Sequence, residues 1–300
     1  MSKWDYEYLK LCKKILTEGR EVQNRTGINT IKIPSHHFQF NLEEEYPVLT
    51  TKQLFFKQAI LEMLWIYQAQ SNDVRWLQER GIHIWDEWEI GEDGLWKAEQ
   101  NIKTKDGVLE KKEITKNYGK EWAHTIGTAY GWIVNHYHLT EKLIDKIKNY
   151  PEDRRMVLSL WQDEFLGTAV LPSCVWSSEW DVTDGKLNAW VHQRSCDVPL
   201  GLPFNVTQYA TLVNMLAKTC NLTPGTLDWS IKDAHIYINQ ISKIEEQIRR
   251  MDNLGDFKAP ELWLNPEITD FFAYDNSKNC KDVKILNYKH HGKIHFPIAK

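Results

Sequence analysis

A chain of 300 residues with 42% hydrophobic and 26% charged side chains has room for a large core and the composition of an ordinary globular protein. Its formal net charge of −4 supplies no general basic field, which argues against nucleic acid as the principal ligand but leaves room for arginines gathered around one phosphate. Five cysteines, odd in number and without C-x-x-C spacing, argue against a disulfide framework or a zinc site and for a reducing compartment.

The N-terminal residues are too charged for a signal-peptide core, and no run has the ~18 apolar residues of a membrane span. A cytoplasmic protein is the expectation. Tyr8, Leu9, Cys12, Ile15 and Leu16 form one stripe and predict a helix over 5–19. Ile31/Ile33 and Phe38/Phe40/Leu42, separated by Pro34-Ser35, read as two paired strands. A second helix is expected from about Leu54 to Gln70, and a third with Asn72 as its N-cap. From Glu89 to about His124 the chain turns polar and Lys/Glu-rich, with turn signals at Asp93-Gly94 and Asp106-Gly107, and reads as a surface excursion. A helix over 139–149 stops before Pro151.

Further on, Met156–Trp161, Val175–Val182, Leu187–Gln193, Thr226–Ser230 and Val283–Tyr288 read as strands. Residues 208–220 and 236–250 read as helices, the first carrying Tyr209, Leu212, Val213, Leu216, Ala217 and Cys220 at helical spacing. No internal repeat or low-complexity linker appears, so residues 1–300 are expected to form a single α+β domain with a mixed sheet flanked by helices.

Several residues look chemical. Glu62 lies in the apolar run Ile60-Leu61-Glu62-Met63-Leu64-Trp65, where burial would raise its pKa and fit it to carry a proton. Arg154 and Arg155 stand together before a strand, placed either to pair on the surface or to clasp a phosphate. The segment Gln193–Asn205 gathers Arg194, Ser195, Asp197 and Asn205 around a strand end, with Gly201 and Pro203 shaping the loop before a helix. His235 and Tyr237 face one way if extended. Cys12 and Cys220 sit on apolar helix stripes, and Cys280 has no evident base or cation nearby in sequence. Cys174 and Cys196 both fall at strand edges with Arg194 placed to lower either pKa, so residue pattern leaves two candidate nucleophiles.

Taken together, Asn24-Arg25-Thr26-Gly27, Leu61-Glu62-x-Leu64-Trp65, Ile84-Trp85-Asp86-Glu87-Trp88, Asp153-Arg154-Arg155, Leu171-Pro172-Ser173-Cys174, the run from Gln193 to Asn205 and Asp233-x-His235-x-Tyr237 resemble the thymidylate synthase family, in family order. The resemblance implies a homodimer with sheets packed back to back and sites completed across the interface. It implies reductive methylation of dUMP to dTMP, with 5,10-methylenetetrahydrofolate giving the one-carbon unit and the hydride, and no metal. Cys174 would be the thiolate that adds to C6, with Glu62, Tyr130, Arg194, Asn205 and Asp197 completing the catalytic set. Arg25, Arg194 and Ser195, with Arg154 and Arg155 from the other subunit, would hold the phosphate. Asn205 would read the uracil edge, and His235 and Tyr237 the ribose hydroxyl. Ile84, Trp85, Asp197, Leu200, Gly201, Phe204 and Ile298 in the C-terminal segment would receive the folate.

Departures from the family pattern are Val175 where many members have His, Gln162 where Asn is usual, and Lys300 at a position usually small and apolar. Tyr118 and Tyr130 both compete for the proton-relay position, and the Ile-Gly before Tyr130 favours the latter. The alternative reading is a dUMP hydroxymethylase, in which water traps the same intermediate.

Overall fold

Serine before an apolar-striped run starts the first helix. In the computed structural model, which describes residues 2–24, 26–103, 109–255 and 257–298, α1 spans Lys3–Glu18. The Ser2 hydroxyl accepts from the Asp5 amide at 3.2 Å, while the Glu45 carboxylate accepts from the amides of Lys3 and Trp4. An anion there complements the positive end of the helix. Asp5 itself is buried, and it accepts from the amides and hydroxyls of both Thr50 and Thr51. These bonds fasten the 50–52 turn to α1. Arg25, Lys300 and the Asp106-Gly107 turn signal lie outside the described residues.

The expected pair of strands at 31–42 is one strand. After β1 (Arg20–Val22), β2 runs unbroken from Thr30 to Asn41. Its pairing with β9 (Thr223–Tyr237) keeps one register on both sides of Pro34, from Thr30↔Tyr237 to Asn41↔Thr226. Pro34 falls opposite Asp233, whose φ of 58° is left-handed, so the missing N–H costs one rung rather than the strand.

Helix α2 covers Phe56–Tyr67 and α3 only Arg75–Gln78. Asn72 is not the N-cap of α3. Its amide donates to the Gly127 carbonyl, and the Asp73 carboxylate takes the capping bond from the Arg75 amide instead. The polar excursion is an antiparallel hairpin of β3 (Leu95–Lys103) and β4 (Leu109–Asn117), entered through Gly94 at φ 80°. Alternating lysine and glutamate suit a ribbon wet on its faces, as in the Lys111–Glu99 pair at 2.9 Å.

Helices α4 (Gly131–Tyr137) and α5 (Leu139–Asn149) lead to β5 (Met156–Ser159), β6 (Val175–Thr183), β7 (Lys186–Gln193) and the short β8 (Cys196–Asp197). Helix α6 spans Leu202–Thr219 and so begins before the expected 208. Pro203 sits in its first turn, where a missing N–H breaks no helical bond. The expected helix over 236–250 also shifts. β9 continues through Tyr237, a tight turn covers 238–240, and α7 spans Ile241–Leu254. A small antiparallel pair, β10 (Glu261–Leu264) with β11 (Val283–Leu286), precedes the C-terminal segment.

Among the described residues the main sheet has seven strands in the order β1-β2-β9-β7-β6-β5, with β8 beside β9. The β7/β9 and β8/β9 pairings are parallel and the others antiparallel, which makes the sheet mixed and the fold α+β. Leu187, Ala189 and Val191 turn one way into the core with Trp229, Leu212 and Leu61. The opposite face carries a row of paired positions, Val157–Glu179–Trp190–Asp228–Gln39, in which Val157 is 51% and Trp190 47% exposed. No helix among the described residues is long and apolar enough to cross a membrane.

Candidate active site

The strand ends β6, β7 and β8 and helices α2 and α6 surround a cleft of about 240 Å³. Cys174 stands at its edge, just before β6. The two β6 residues Val175 and Trp176 share one position opposite Gln193, a bulge that bends the chain where the thiol must point. Three features hold this loop. The Cys174 amide donates to the Tyr130 hydroxyl at 3.0 Å. Arg194 accepts no freedom of its own, because its guanidinium donates to the carbonyls of Pro172 at 2.6 Å and Ser173 at 3.0 Å. Gly127, at φ 71°, lets the Thr168 carbonyl approach to within 2.0 Å of where a Cβ would stand.

The electrostatics separate the cysteines. Arg194 Nη2 lies 3.7 Å from Cys174 Sγ, which favours a thiolate there. Burial pushes the Cys196 thiol well above its ordinary range, the Cys12 and Cys280 thiols to about 12, and the Cys220 thiol to about 11. Cys174 is the thiol that lines the cleft.

Glu62 faces Cys174's side of the cleft from α2. Burial raises its pKa, while hydrogen bonds from Trp85 Nε1 at 2.7 Å and Gln208 Nε2 at 2.5 Å oppose the rise. The bonds continue as a chain. Gln208 accepts from Asn205 Nδ2 at 3.2 Å, Asn205 Oδ1 from Gln193 Nε2 at 3.2 Å, and Gln193 Oε1 from the buried Trp229 Nε1 at 3.0 Å. A buried indole N–H can only donate, so it fixes the orientation of Gln193 and, through it, of Asn205.

At the other end of the cleft, β8 pairs with β9 so that Asp197 lies opposite His235. Asp197 is held by the Leu200 amide at 3.2 Å and by Gln240, and burial raises its pKa. His235 Nδ1 lies 3.1 Å from the Asp233 carbonyl and 3.2 Å from its carboxylate. That contact, with Lys32 at 2.9 Å, holds the Asp233 carboxyl down at about 2. Trp85, Trp88, Ile84 and Leu171 give the cleft its apolar wall, and Trp85 packs edge-on to Tyr130 at 5.3 Å. A smaller depression beside α1 and β2 holds no such convergence of groups. Among the described residues no three His, Cys, Asp or Glu side chains gather to hold a metal.

The thymidylate synthase family model matches residues 6–300. A thymidylate synthase of Clostridium beijerinckii is 43% identical over the full length of both chains, and one of Bacillus licheniformis is 33% identical, also over both full lengths. The solved structure of a thermostable thymidylate synthase A from Bacillus subtilis superposes with a TM-score of 0.81 at 33% identity, covering 99% of each chain. The chain belongs to the thymidylate synthase family.

Of the residues the family resemblance points to, the fold brings Cys174, Glu62, Tyr130, Ser195, Asp197, Asn205, Ile84, Trp85 and Gly201 onto one cleft, with Arg194 touching its edge. Tyr118, the rival of Tyr130, instead bonds the Ala169 carbonyl. Arg154 and Arg155 lie exposed away from their own chain's cleft, Arg155 paired to Asp153 at 2.9 Å. Ile298 is 48% exposed, and Leu200 and Phe204 are half-buried against the core without lining the cleft. Gln162 donates to the Ser159 carbonyl rather than reaching Glu62.

The sequence gives no role to Gln208, and none to Gln193 beyond opening the Gln193–Asn205 motif. Starting α6 at 208 instead of 202 hid the fact that Gln208 is one helical turn beyond Asn205. Gln193 is in phase with Leu187, Ala189 and Val191, so the alternation of β7 points it inward and carries the signal that finds it.

Proposed function

We propose that this cleft performs the reaction of its family, the reductive methylation of dUMP to dTMP, with Cys174 as nucleophile and 5,10-methylenetetrahydrofolate as donor of the one-carbon unit and the hydride. The supporting observation is the thiol of Cys174 beside Arg194 at 3.7 Å, facing the ordered chain from Glu62 to Asn205. Uracil C5 is a poor nucleophile. Thiolate addition at C6 makes it an enolate carbon that can attack the folate's methylene. Asn205 and a water held by Glu62 would donate to the enolate oxygen, and their hydrogen-bond chain places these donors before the charge develops. The apolar wall of Trp85, Trp88 and Ile84 would keep bulk water from the methylene, and Asp197 would orient the folate ring. The bond between the Cys174 amide and the Tyr130 hydroxyl supports a proton-relay role for Tyr130.

The phosphate would be held by Arg25, Arg194 and Ser195, with Arg154 and Arg155 of the partner subunit, and the ribose hydroxyl by His235 and Tyr237. A homodimer packed through the outer sheet face is supported by the exposed Trp190, Val157 and Trp176, which form an apolar area on a face that no helix among the described residues covers. The same reading explains why Arg154 and Arg155 lie exposed outside their own cleft. A cytoplasmic setting suits the buried thiols Cys12, Cys196 and Cys280.

Purified protein given dUMP and methylenetetrahydrofolate is expected to form dTMP and dihydrofolate. Hydroxymethyl-dUMP with tetrahydrofolate would instead indicate the water-trapping reaction, which neither the family match nor the relatives support. A doubly substituted Arg154→Ala, Arg155→Ala protein, after dissociation and reassociation with Cys174→Ala protein, is expected to regain activity that neither has alone. The mixed dimer then carries one site with both arginines and the thiol. Absence of recovery would place phosphate binding within one subunit.

A further inference from the structure

Between β9 and α7, the turn at 238–240 buries one amide side chain, Gln240, completely. Its atoms join three segments that are distant in sequence. Oε1 accepts from the Tyr237 amide at 3.1 Å, at the end of β9. Nε2 donates to Asp197 Oδ2 at 3.0 Å, on β8, and to the Pro297 carbonyl at 3.1 Å, in the C-terminal segment. Both Nε2 hydrogens are thereby donated while Oε1 accepts, which fixes the side chain in one orientation. Next to it the buried Lys52 ammonium donates to the Pro199 carbonyl and lies 4.5 Å over the Phe296 ring, so the same two segments are bridged again. The root of the C-terminal segment is held separately by Arg250, which donates to the carbonyls of His291, Gly292 and Lys293.

We propose that Gln240 is a positioning residue that ties the C-terminal segment to the Asp197 carboxylate, so that seating of residues 294–298 and orientation of Asp197 toward the folate depend on one another. The proposal rests on the functional reading above for the role of Asp197. A buried carboxylate needs donors to stay in place, and Asp197 has two hydrogen-bond donors, the Leu200 amide and Gln240. The Leu200 bond is local to the turn, while the Gln240 bond depends on where the C-terminal segment lies. A tail that lifts therefore releases Gln240 from one acceptor, and a misplaced Gln240 frees the tail.

The test is Gln240→Met, which keeps volume and removes all three polar contacts, with Gln240→Glu as a second variant that sets an oxygen against the Asp197 carboxylate. Losing a hydrogen bond to a charged group is expected to raise the KM for methylenetetrahydrofolate by about 10-fold. The dUMP dissociation constant should stay within about twofold, since Gln240 meets the nucleotide side through a backbone amide alone. Hydrogen exchange of the amides of Ile294, His295, Phe296 and Ile298 should quicken in the free protein, while exchange of the His291 amide, which donates to the Thr50 carbonyl, is unchanged. Gln240→Glu should raise the folate KM more than Gln240→Met. Unchanged folate KM, unchanged exchange at 294–298, or a reversed order of the two variants would overturn the proposal. If Gln240→Met does not fold, Gln240→Glu against wild type decides the same points. Failure of wild-type protein to form dTMP would strike the functional reading, and the exchange measurement would still test the tie between Gln240 and the tail.

Discussion

Replacing Cys174 with alanine is expected to lower turnover by at least about four orders of magnitude, because no other group can supply the covalent step that makes C5 nucleophilic. Binding of dUMP should survive, since phosphate and base are held by other side chains. Cys196→Ala is the control. Its thiol is fully buried, and burial keeps it protonated far above neutral pH, so its loss should leave most of the activity. The structure supplies a physical reason to separate the two thiols that sequence pattern lacks. One sits at the cleft with Arg194 at 3.7 Å, the other inside the sheet on β8. Turnover measured for both variants under saturating substrates checks this. A slow Cys196→Ala and an active Cys174→Ala would exchange their roles.

Glu62→Gln is expected to reduce kcat by roughly 10²- to 10³-fold with little change in dUMP affinity, the range for a positioned proton-carrying group. Gln keeps the shape, and its Oε1 can still accept from Trp85 or Gln208, so folding should be preserved. Burial raises the Glu62 pKa, which means the carboxyl stays protonated to higher pH than an ordinary glutamate. One limb of the wild-type kcat–pH profile should therefore titrate above the usual carboxylate range, and that limb should vanish in Glu62→Gln. A profile that Glu62→Gln leaves unaltered would assign the limb to another group. Cutting the chain further along, at Gln208→Leu, should displace the same limb, because Gln208 donates to the charged form of Glu62 and its loss raises the pKa further.

Periodic elements were legible from the sequence where periodicity is strong. The stripe of α1 and the alternation of β7 each appear within two residues of expectation, while the apolar run of α2 ends at Tyr67, three residues short of the expected Gln70. Two of the differences fall at prolines that stand inside an element rather than at its end. Pro34 seemed to divide two strands, yet it occupies one rung of a single strand opposite the left-handed Asp233. Pro203 seemed to belong to a loop, yet it lies in the first turn of α6. The second misreading also hid Gln208, and with it the donor that orients Glu62. Position along the chain could not place Gln240 beside Asp197 and Pro297, because that meeting depends on β8 joining β9 in parallel and on the path of the C-terminal segment. The motifs around Cys174 carried the family, while the contacts between motifs came from the fold.

The central claim, that the Cys174 sulfur bonds to C6 of the pyrimidine, has a direct measurement. A 5-fluoro analogue of dUMP has no proton at C5 to lose, so with methylenetetrahydrofolate the covalent intermediate should accumulate instead of turning over. Intact-mass analysis should then show the chain heavier by nucleotide plus folate, and peptide mapping should place the added mass on the peptide containing Cys174. Mass on the Cys196 peptide, or turnover without any adduct, would contradict the account.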